Sequence, residues 1–211
     1  MESSYLLKIT SLICMLMLLT SCFPINHWPE ERAQVIDIET NQPVEGVIVV
    51  AFWKGTTGVA GTQTTCYHTE SATTDAKGQF VIPGYNDGFR QGFTANKYTV
   101  LHFYKRGYKE YVRPDGMSFT QKKIYRMEPF KGTREERFEY IRRFPTSCYK
   151  AGDSKKNLYQ IRKAKYEEAR QLAKTKEEIR TVETMLYKIE RIEYDYETAT
   201  KRHYERLEAL K

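Results

Sequence analysis

The run Val47-Ile48-Val49-Val50-Ala51-Phe52 decides the fold of this 211-residue chain, because it is apolar without a break and rich in β-branched residues. A strand with one solvated face alternates apolar and polar residues, whereas a short unbroken apolar run is typical of a strand covered on both faces. The segment therefore predicts a central strand in a sheet that has an apolar layer on each side.

Further short runs of β-forming residues lie on both sides of this segment, each bounded by turn residues. The sequence Asp75-Ala76-Lys77-Gly78 predicts a hairpin turn with positive φ at the glycine. The predicted strands cover residues 35–38, 47–52, 79–82, 98–104, 108–112 and 123–127. This spacing is typical of an all-β sandwich, here with six or seven antiparallel strands between residues 33 and 128.

A segment rich in glycine and threonine, residues 54–65, follows the central run and carries no apolar periodicity. Long loops without secondary structure of their own are uncommon in compact domains and are often functional. We therefore interpret residues 54–65 as an inserted loop and as the best candidate for a contact loop.

Several separated elements of the sandwich occur in the order found in one known family. They are Val35, Asp37, Thr40, Pro43, Val44, Gly46, Val47 and Val49, then Thr74-Asp75 and Gly78-Gln79-Phe80, and finally Val100-Leu101-His102-Phe103 before Gly107-Tyr108. This series resembles the carboxypeptidase regulatory-like domain. The resemblance implies a transthyretin-like, or prealbumin-like, β-sandwich that serves as a non-catalytic module attached to peptidases, receptors or surface proteins.

The amino-terminal region has a short head with Lys8, an apolar stretch over residues 9–19, and then Leu19-Thr20-Ser21-Cys22. A basic head, a short apolar stretch and small residues at the cut are typical of a secretory signal, and the stretch is too short to span a bilayer. The cysteine makes the motif resemble the lipobox of bacterial lipoproteins.

The lipobox resemblance implies that residues 1–21 form a signal peptide and that Cys22 carries the acyl chains of a membrane anchor. We expect residues 22–32 to form a tether between this anchor and the sandwich. Phe23 stands where an aspartate would retain an enterobacterial lipoprotein in the inner membrane. The sequence therefore favours the periplasmic face of the outer membrane.

Four cysteines occur in the chain, and processing would remove Cys14 and modify Cys22. The two that remain, Cys66 and Cys148, predict one disulfide in an exported protein. The alternatives are two buried thiols or a metal pair, but two cysteines without a CxxC motif or a histidine cluster do not make a zinc site.

The formal charge of +7 is concentrated in residues 121–170, which carry 15 basic and 7 acidic side chains. A basic block of this kind suits a surface that binds an anionic envelope polymer, a lipid head group or a saccharide. It also suits an ordinary solvated face. Nucleic acid is not an expected partner, because an exported, lipid-anchored protein does not normally meet it.

Residues 129–211 predict an α-helical extension. Thr133 with Glu136 and Thr175 with Glu178 form capping boxes at two helix starts, and Asp153 or Ser154 suits a third. A heptad-spaced apolar stripe contains Leu172, Ile179, Val182, Leu186 and Ile189. The helices either pair as a hairpin against the sandwich, which we favour, or present this stripe to a partner helix as in a coiled coil.

A candidate site for chemistry consists of His68 and Glu70, two residues apart, with His102 on a neighbouring strand. Three such side chains can ligate a metal, but a surface His/Glu pair is the commoner outcome of this spacing. The sequence contains no GxSxG, HExxH or phosphate-binding glycine motif. We therefore expect no catalytic residues, no cofactor and no metal.

Three functions remain compatible with these features. The first is a non-enzymatic, membrane-anchored scaffold or adaptor that assembles with an envelope protein or with itself through the helical extension. The second is a binding module for an anionic polymer, head group or saccharide. A hydrolase on the transthyretin-like fold is the third, and the missing catalytic motifs disfavour it.

Overall fold

The computed structural model describes residues 26–57, 63–88, 95–114, 123–143 and 154–210, and within them the chain forms nine strands followed by four helices. The strands are β1 (Asn26–Trp28), β2 (Glu31–Asp37), β3 (Ile48–Thr57), β4 (Gln63–Thr73), β5 (Gln79–Ile82), β6 (Tyr85–Gly88), β7 (Ala95–Tyr104), β8 (Tyr111–Pro114) and β9 (Lys123–Met127). The helices are α1 (Arg134–Ile141), α2 (Ser154–Leu172), α3 (Lys176–Glu193) and α4 (Tyr196–Glu208).

Two sheets form a β-sandwich, and a short ribbon lies beside them. The larger sheet has the order β4-β3-β7-β8, the smaller has the order β5-β2-β9, and β1 pairs with β6. Buried side chains from β2, β3, β5, β7 and β9 form one apolar core between the two sheets. The predicted class, a β-sandwich followed by C-terminal helices, is confirmed at this level.

Strand β3 is covered on both faces, as its unbroken apolar run predicts. Val49, Ala51 and Trp53 point into the core between the sheets. Val50 and Phe52 alternate with them and belong to a second buried cluster, which includes apolar side chains of helices α1, α2 and α3. Because consecutive strand residues face opposite sides, one strand joins the sandwich core to the helical layer.

The prediction of a purely antiparallel sandwich with six or seven strands is wrong in two respects. Strand β9 runs parallel to β2, with Ala33 opposite Lys123 and Asp37 opposite Met127. The described residues also contain nine strands rather than six or seven. A parallel pair needs a long crossover connection, and the intervening strands of the sandwich supply it here.

The predicted tether, residues 22–32, is also wrong at its carboxyl end. His27 and Trp28 pair with β6, and β2 already begins at Glu31. The first described strand therefore begins at Asn26, four residues after Cys22. A chain of four residues spans at most about 14 Å, so an anchor at Cys22 would hold the sandwich much closer to a membrane than the predicted tether.

The predicted loop over residues 54–65 is mostly strand. Strand β3 continues to Thr57 and β4 begins at Gln63, so only residues 58–62 lie between them. Thr56 pairs with Thr64 across this hairpin. Threonine is β-branched and suits a strand. The register of the two strands shifts after Trp53, as at a β-bulge. The prediction of a loop is therefore wrong at residues 54–57 and 63–65, residues 58–62 lie outside the described residues, and the contact role of the segment stays a prediction.

The turn before β5 forms as its sequence predicts. The carboxylate of Asp75 accepts hydrogen bonds from the backbone N–H groups of Lys77 and Gln79, at 2.9 and 2.8 Å. Gly78 has φ +69°, and a Cβ there would lie 2.4 Å from the carbonyl oxygen of Val35. Both the backbone conformation and this close approach require glycine.

The helical extension adopts the hairpin arrangement of the two considered. Both predicted capping boxes are present, with Thr133 before α1 and Thr175 before α3. Helices α2 and α3 are joined by a short turn, and the stripe residues Val182 and Ile189 are buried. Helix α4 is a further element, and Asp195 is its N-cap residue. Of the helices within the described ranges, none combines the length and apolar content that a membrane span requires.

Candidate functional site at the sheet–helix junction

A buried ionic cluster lies where the helices meet the larger sheet. Arg137 of α1 donates two hydrogen bonds to the carboxylate of Glu168 on α2, from Nε at 2.8 Å and from Nη2 at 2.9 Å. The hydroxyl of Tyr104, at the end of β7, donates to the same carboxylate at 2.7 Å. Both charged side chains are almost fully buried. The cluster therefore ties three elements together through one carboxylate.

A second buried cation extends the cluster. Lys165 of α2 has no exposed surface, and its ammonium group donates to the carboxylate of Glu110 and to the carbonyl oxygen of Arg143. Burial lowers the pKa of Lys165, and the charge of Glu110 opposes that change. Because Glu110 lies just before β8, this pair fixes the edge of the sheet to the helical layer.

The acidic and basic groups of the junction satisfy one another. Burial, together with the hydrogen bond to Glu168, raises the pKa of Tyr104 and keeps its phenol protonated. Arg137 also donates to the carbonyl oxygen of Tyr108 in the loop after β7. Each charge therefore has a structural partner, and we interpret the cluster as the joint between the sandwich and its helices.

The sequence offered one signal for this joint, at Lys165. In α2 the apolar stripe of Leu158, Ile161 and Ala169 leaves a gap that either Ala164 or Lys165 can fill. A lysine at a core-facing position is rarely buried unless it has a partner. The stripe left Ala164 and Lys165 as equal alternatives at this position, and nothing in the local sequence identified Glu110 as a partner for the lysine.

The candidate metal ligands lie on opposite faces of the larger sheet. His68 and Glu70 pair with Trp53 and Ala51, which face the core between the sheets. His102 pairs with Val50, which faces the helices. His68 and Glu70 form a loose pair at 3.7 Å, and the described part of the chain contains no group of three metal-ligating side chains.

His102 is instead held as a neutral imidazole beneath the helical layer. Its ring makes an edge contact with Phe52, with ring centroids 4.9 Å apart. Burial, followed by the charges of Lys54 and Lys165, lowers its pKa from 6.5 to about 4. The folded protein therefore disfavours protonation of this side chain.

Acidification is expected to destabilise the protein through His102. Because its pKa is lower in the folded state than in the unfolded state, its contribution is complete above about pH 6.5 and is lost as the pH falls toward 4. The loss is on the order of 2–3 kcal/mol at the lower end. Urea unfolding of the parent and of His102→Gln between pH 7 and 4 measures it. A parent and variant with the same slope of stability against pH would contradict this expectation.

Part of the basic block over residues 121–170 is engaged in ion pairs. At least six of its fifteen cations contact a carboxylate, and four of these six acids come from outside the block. The pairs are Lys123–Glu31, Lys131–Glu39, Arg134–Glu178, Arg137–Glu168, Arg142–Glu139 and Lys165–Glu110. Four of these cations are therefore matched by acids of other elements.

The predicted modification sites cannot all be located in the structure. Cys66 lies on β4, whereas Cys148 and the predicted lipidation site Cys22 lie outside the described residues. The Cys66–Cys148 disulfide and the acylation of Cys22 therefore stay predictions.

Comparison with known proteins does not assign this chain to a family. No family model matches it, and no curated protein matches it. Similar solved structures include a streptococcal ancillary pilin (12% identity, TM-score 0.29), covering 51% of this chain and 30% of the pilin. They also include the 3-chlorocatechol 1,2-dioxygenase of Rhodococcus opacus 1CP (13% identity, TM-score 0.30), a match that covers 51% of this chain and 61% of the dioxygenase. A third is a 9R-lipoxygenase from Cyanothece PCC8801 (16% identity, TM-score 0.31), and this match covers 74% of this chain and 26% of the lipoxygenase. Likenesses at such TM-scores carry no argument about fold or function.

Proposed function

We propose that this chain is a non-enzymatic envelope lipoprotein that is held at a membrane through acylated Cys22 and serves as a scaffold or adaptor for protein assembly. The observation that carries the proposal is the position of Cys22, which ends a lipobox-like sequence four residues before strand β1 begins. An anchor and a folded domain so close together suit a protein that works at the membrane surface. We place it on the periplasmic face of the outer membrane because Phe23 follows the cysteine.

The sandwich, in this proposal, is a transthyretin-like module of the carboxypeptidase regulatory type. The residues that carry the resemblance have structural roles, which suits a module without catalysis. Thr74 is an example: its hydroxyl accepts a hydrogen bond from the backbone N–H of Val47 at 2.8 Å and donates one to the carbonyl oxygen of Val44 at 2.7 Å. Together with the turn at Asp75 and Gly78, it fixes the start of β3 against the end of β4.

The buried junction supports a scaffold because it makes a rigid connection between the sandwich and the helices. Arg137 and Glu168 fix the orientation of α1 and α2 on the sheet through paired hydrogen bonds, which constrain direction as well as distance. A protein partner bound to the helices would then stand at a fixed place relative to the anchored sandwich. The alternative, binding of an anionic polymer, head group or saccharide, finds less support because at least six of the fifteen cations of the basic block are paired with carboxylates.

Loss of the thiol at residue 22 is expected to release the protein from membranes. Cys22→Ser removes the thiol to which an acyl chain would be attached. Because stable membrane attachment needs more than one acyl chain, the variant should no longer stay on the membrane. Phase partitioning in Triton X-114 measures the effect: the parent enters the detergent phase and the variant the aqueous phase. Cys66→Ser is the matched control and should partition as the parent does. Detergent partitioning that survives Cys22→Ser would contradict the lipoprotein assignment.

A further inference from the structure

The outer face of the smaller sheet is open to solvent in the described part of the structure, whereas the larger sheet carries the helical layer on its outer side. The core side of the smaller sheet includes Ala33 of β2, Phe80 of β5 and Tyr125 of β9. Residues that alternate with these along each strand therefore face outward. They include Arg32, Val81, Ile124 and Arg126, all of which are exposed.

The exposed aliphatic side chains of the protein are concentrated on this face. Ile38, Val81 and Ile124 are 49%, 40% and 42% exposed, and the other exposed large apolar residues in the described ranges are all tyrosines. Val81 and Ile124 lie on β5 and β9, on either side of β2. Ile38 continues β2, because its backbone N–H donates to the carbonyl oxygen of Met127 at 3.0 Å. All three side chains therefore project from one sheet face, and such a patch marks an interaction site.

The charge of this face is weakly positive. The outward positions of β2, β5 and β9, all of which the structure describes, contain no carboxylate. Two carboxylates lie just beyond the strand ends, and each has a cation beside it: Glu30 pairs with Arg32, and Glu128 pairs with Lys109. Arg126 makes no ion pair with another described residue. The face therefore combines aliphatic side chains with one unmatched guanidinium group.

The amino-terminal ribbon brings the start of the described chain to one end of this face. The pairing of β2 with β5 ends where Glu31 lies opposite Ile82, and the β1–β6 ribbon begins where Trp28 lies opposite Tyr85. Only two residues separate these pairs on each strand, so the ribbon continues β2 and β5 beyond a bend. The face is therefore within reach of an anchor at position 22.

We infer that the outer sheet face, defined as Ile38, Val81, Ile124 and Arg126, lies on the surface of an anionic phospholipid membrane. The inference rests on the proposed function, since it takes Cys22 as the anchor. The aliphatic side chains enter the head-group region, and the guanidinium of Arg126 lies among the phosphates. In this orientation the smaller sheet, the larger sheet and the helices follow one another away from the membrane. The helical layer is then free to meet a protein partner.

The size and the charge of the outer sheet face favour a lipid surface over a protein. Three strands about 4.8 Å apart, paired over about 20 Å, present roughly 300 Å². A standard protein interface buries about 800 Å² on each partner, so a second copy of this chain would bind weakly through this face. A lipid contact needs no such area, because the anchor holds the face beside the bilayer at a high effective concentration. An anionic lipid also supplies the counter-charge that Arg126 lacks.

A tryptophan at position 124 tests the inference in the acylated protein on vesicles of phosphatidylethanolamine and phosphatidylglycerol. Ile124 is exposed, so Ile124→Trp should leave the fold intact. A phospholipid brominated in the upper part of its acyl chains quenches tryptophans that enter the head-group region. We expect the fluorescence added by Ile124→Trp to be quenched several-fold more than that added by Tyr204→Trp, on helix α4. The parent, in which Trp28 and Trp53 are buried, supplies the background.

Two further sets of variants test the side chains themselves. Ile38→Ser with Val81→Ser, made in the Ile124→Trp protein, removes the other aliphatic contacts and should reduce the quenching several-fold. Tyr194→Ser with Tyr204→Ser truncates two exposed side chains of the helical layer and should leave the quenching unchanged. Quenching that is insensitive to the first pair overturns the inference.

The role of Arg126 is tested by comparing vesicles with and without phosphatidylglycerol. Quenching of the tryptophan at position 124 should be stronger on the anionic vesicles, and Arg126→Gln should remove that difference. A preference for anionic vesicles that survives Arg126→Gln overturns the assignment of this residue to the lipid contact.

Flotation of the vesicles separates failure of this inference from failure of the proposed function. A protein that does not float with the vesicles contradicts the anchor at Cys22, and the inference falls with it. A protein that floats but shows no added quenching at position 124, as when a second copy covers the face, overturns the inference alone. Equal quenching at positions 124 and 204 also overturns it. In both of these cases the anchored scaffold of the proposed function stands.

Discussion

Glu168→Ala is expected to lower the free energy of unfolding by about 3–5 kcal/mol, because it leaves the guanidinium of Arg137 buried without its counter-charge. It also removes the acceptor at 2.7 Å from the hydroxyl of Tyr104, although that hydroxyl keeps the carbonyl oxygen of Ala164 at 3.2 Å. Urea unfolding measures the change through two signals. Trp28 and Trp53 report on the sandwich by fluorescence, and circular dichroism reports on the helices.

The control for this variant is Glu139→Ala on α1, the helix that carries Arg137. Glu139 pairs with Arg142 at the surface, and an exposed pair of this kind contributes a few tenths of a kcal/mol. If the junction unites sandwich and helices, Glu168→Ala should shift both unfolding signals together. Equal losses from Glu139→Ala and Glu168→Ala would contradict the role given to the buried pair, and separate transitions in the parent would contradict a single cooperative unit.

Met185→Asp is expected to cost about 3–5 kcal/mol, because it places a carboxylate among the apolar side chains between α3 and the rest of the helical layer. Met185 is 2% exposed and belongs to the same buried cluster as Val50 and Phe52 of β3. Thermal unfolding at neutral pH measures the loss.

Aspartate at the two neighbouring positions provides a graded comparison by burial. Thr184 is exposed and Leu186 is partly buried, so aspartate there should have a small and an intermediate effect respectively. The heptad stripe named Leu186 and omitted Met185, whereas the structure buries the latter more deeply. Equal stabilities for the three aspartate variants would show that this face of α3 is not packed within the chain.

The sequence was most informative where one local signal determines one element. The unbroken run at the start of β3 indicated a strand covered on both faces, and two capping boxes marked the starts of α1 and α3. In each case the interacting groups lie within a few residues of one another or along a single strand. Local physics is sufficient for such elements.

Elements defined by distant partners were missed. Strands β1 and β6 are only three and four residues long, too short to show alternation, and each depends on the other for its hydrogen bonds. The buried pair of Lys165 and Glu110 joins residues 55 positions apart. Since a single sequence records no contact between distant positions, neither the ribbon nor the junction was predictable from it.

The parallel pairing of β2 with β9 also sets the order in which this protein can fold. Lys123 lies opposite Ala33, so one edge of β2 has no neighbour until residues 123–127 are available. Closing so long a loop is entropically costly and slows folding, and an open edge in a partly folded chain invites pairing with other chains. A nascent chain emerging from its amino end therefore keeps its smaller sheet incomplete while β3 to β8 emerge, and the sandwich closes late.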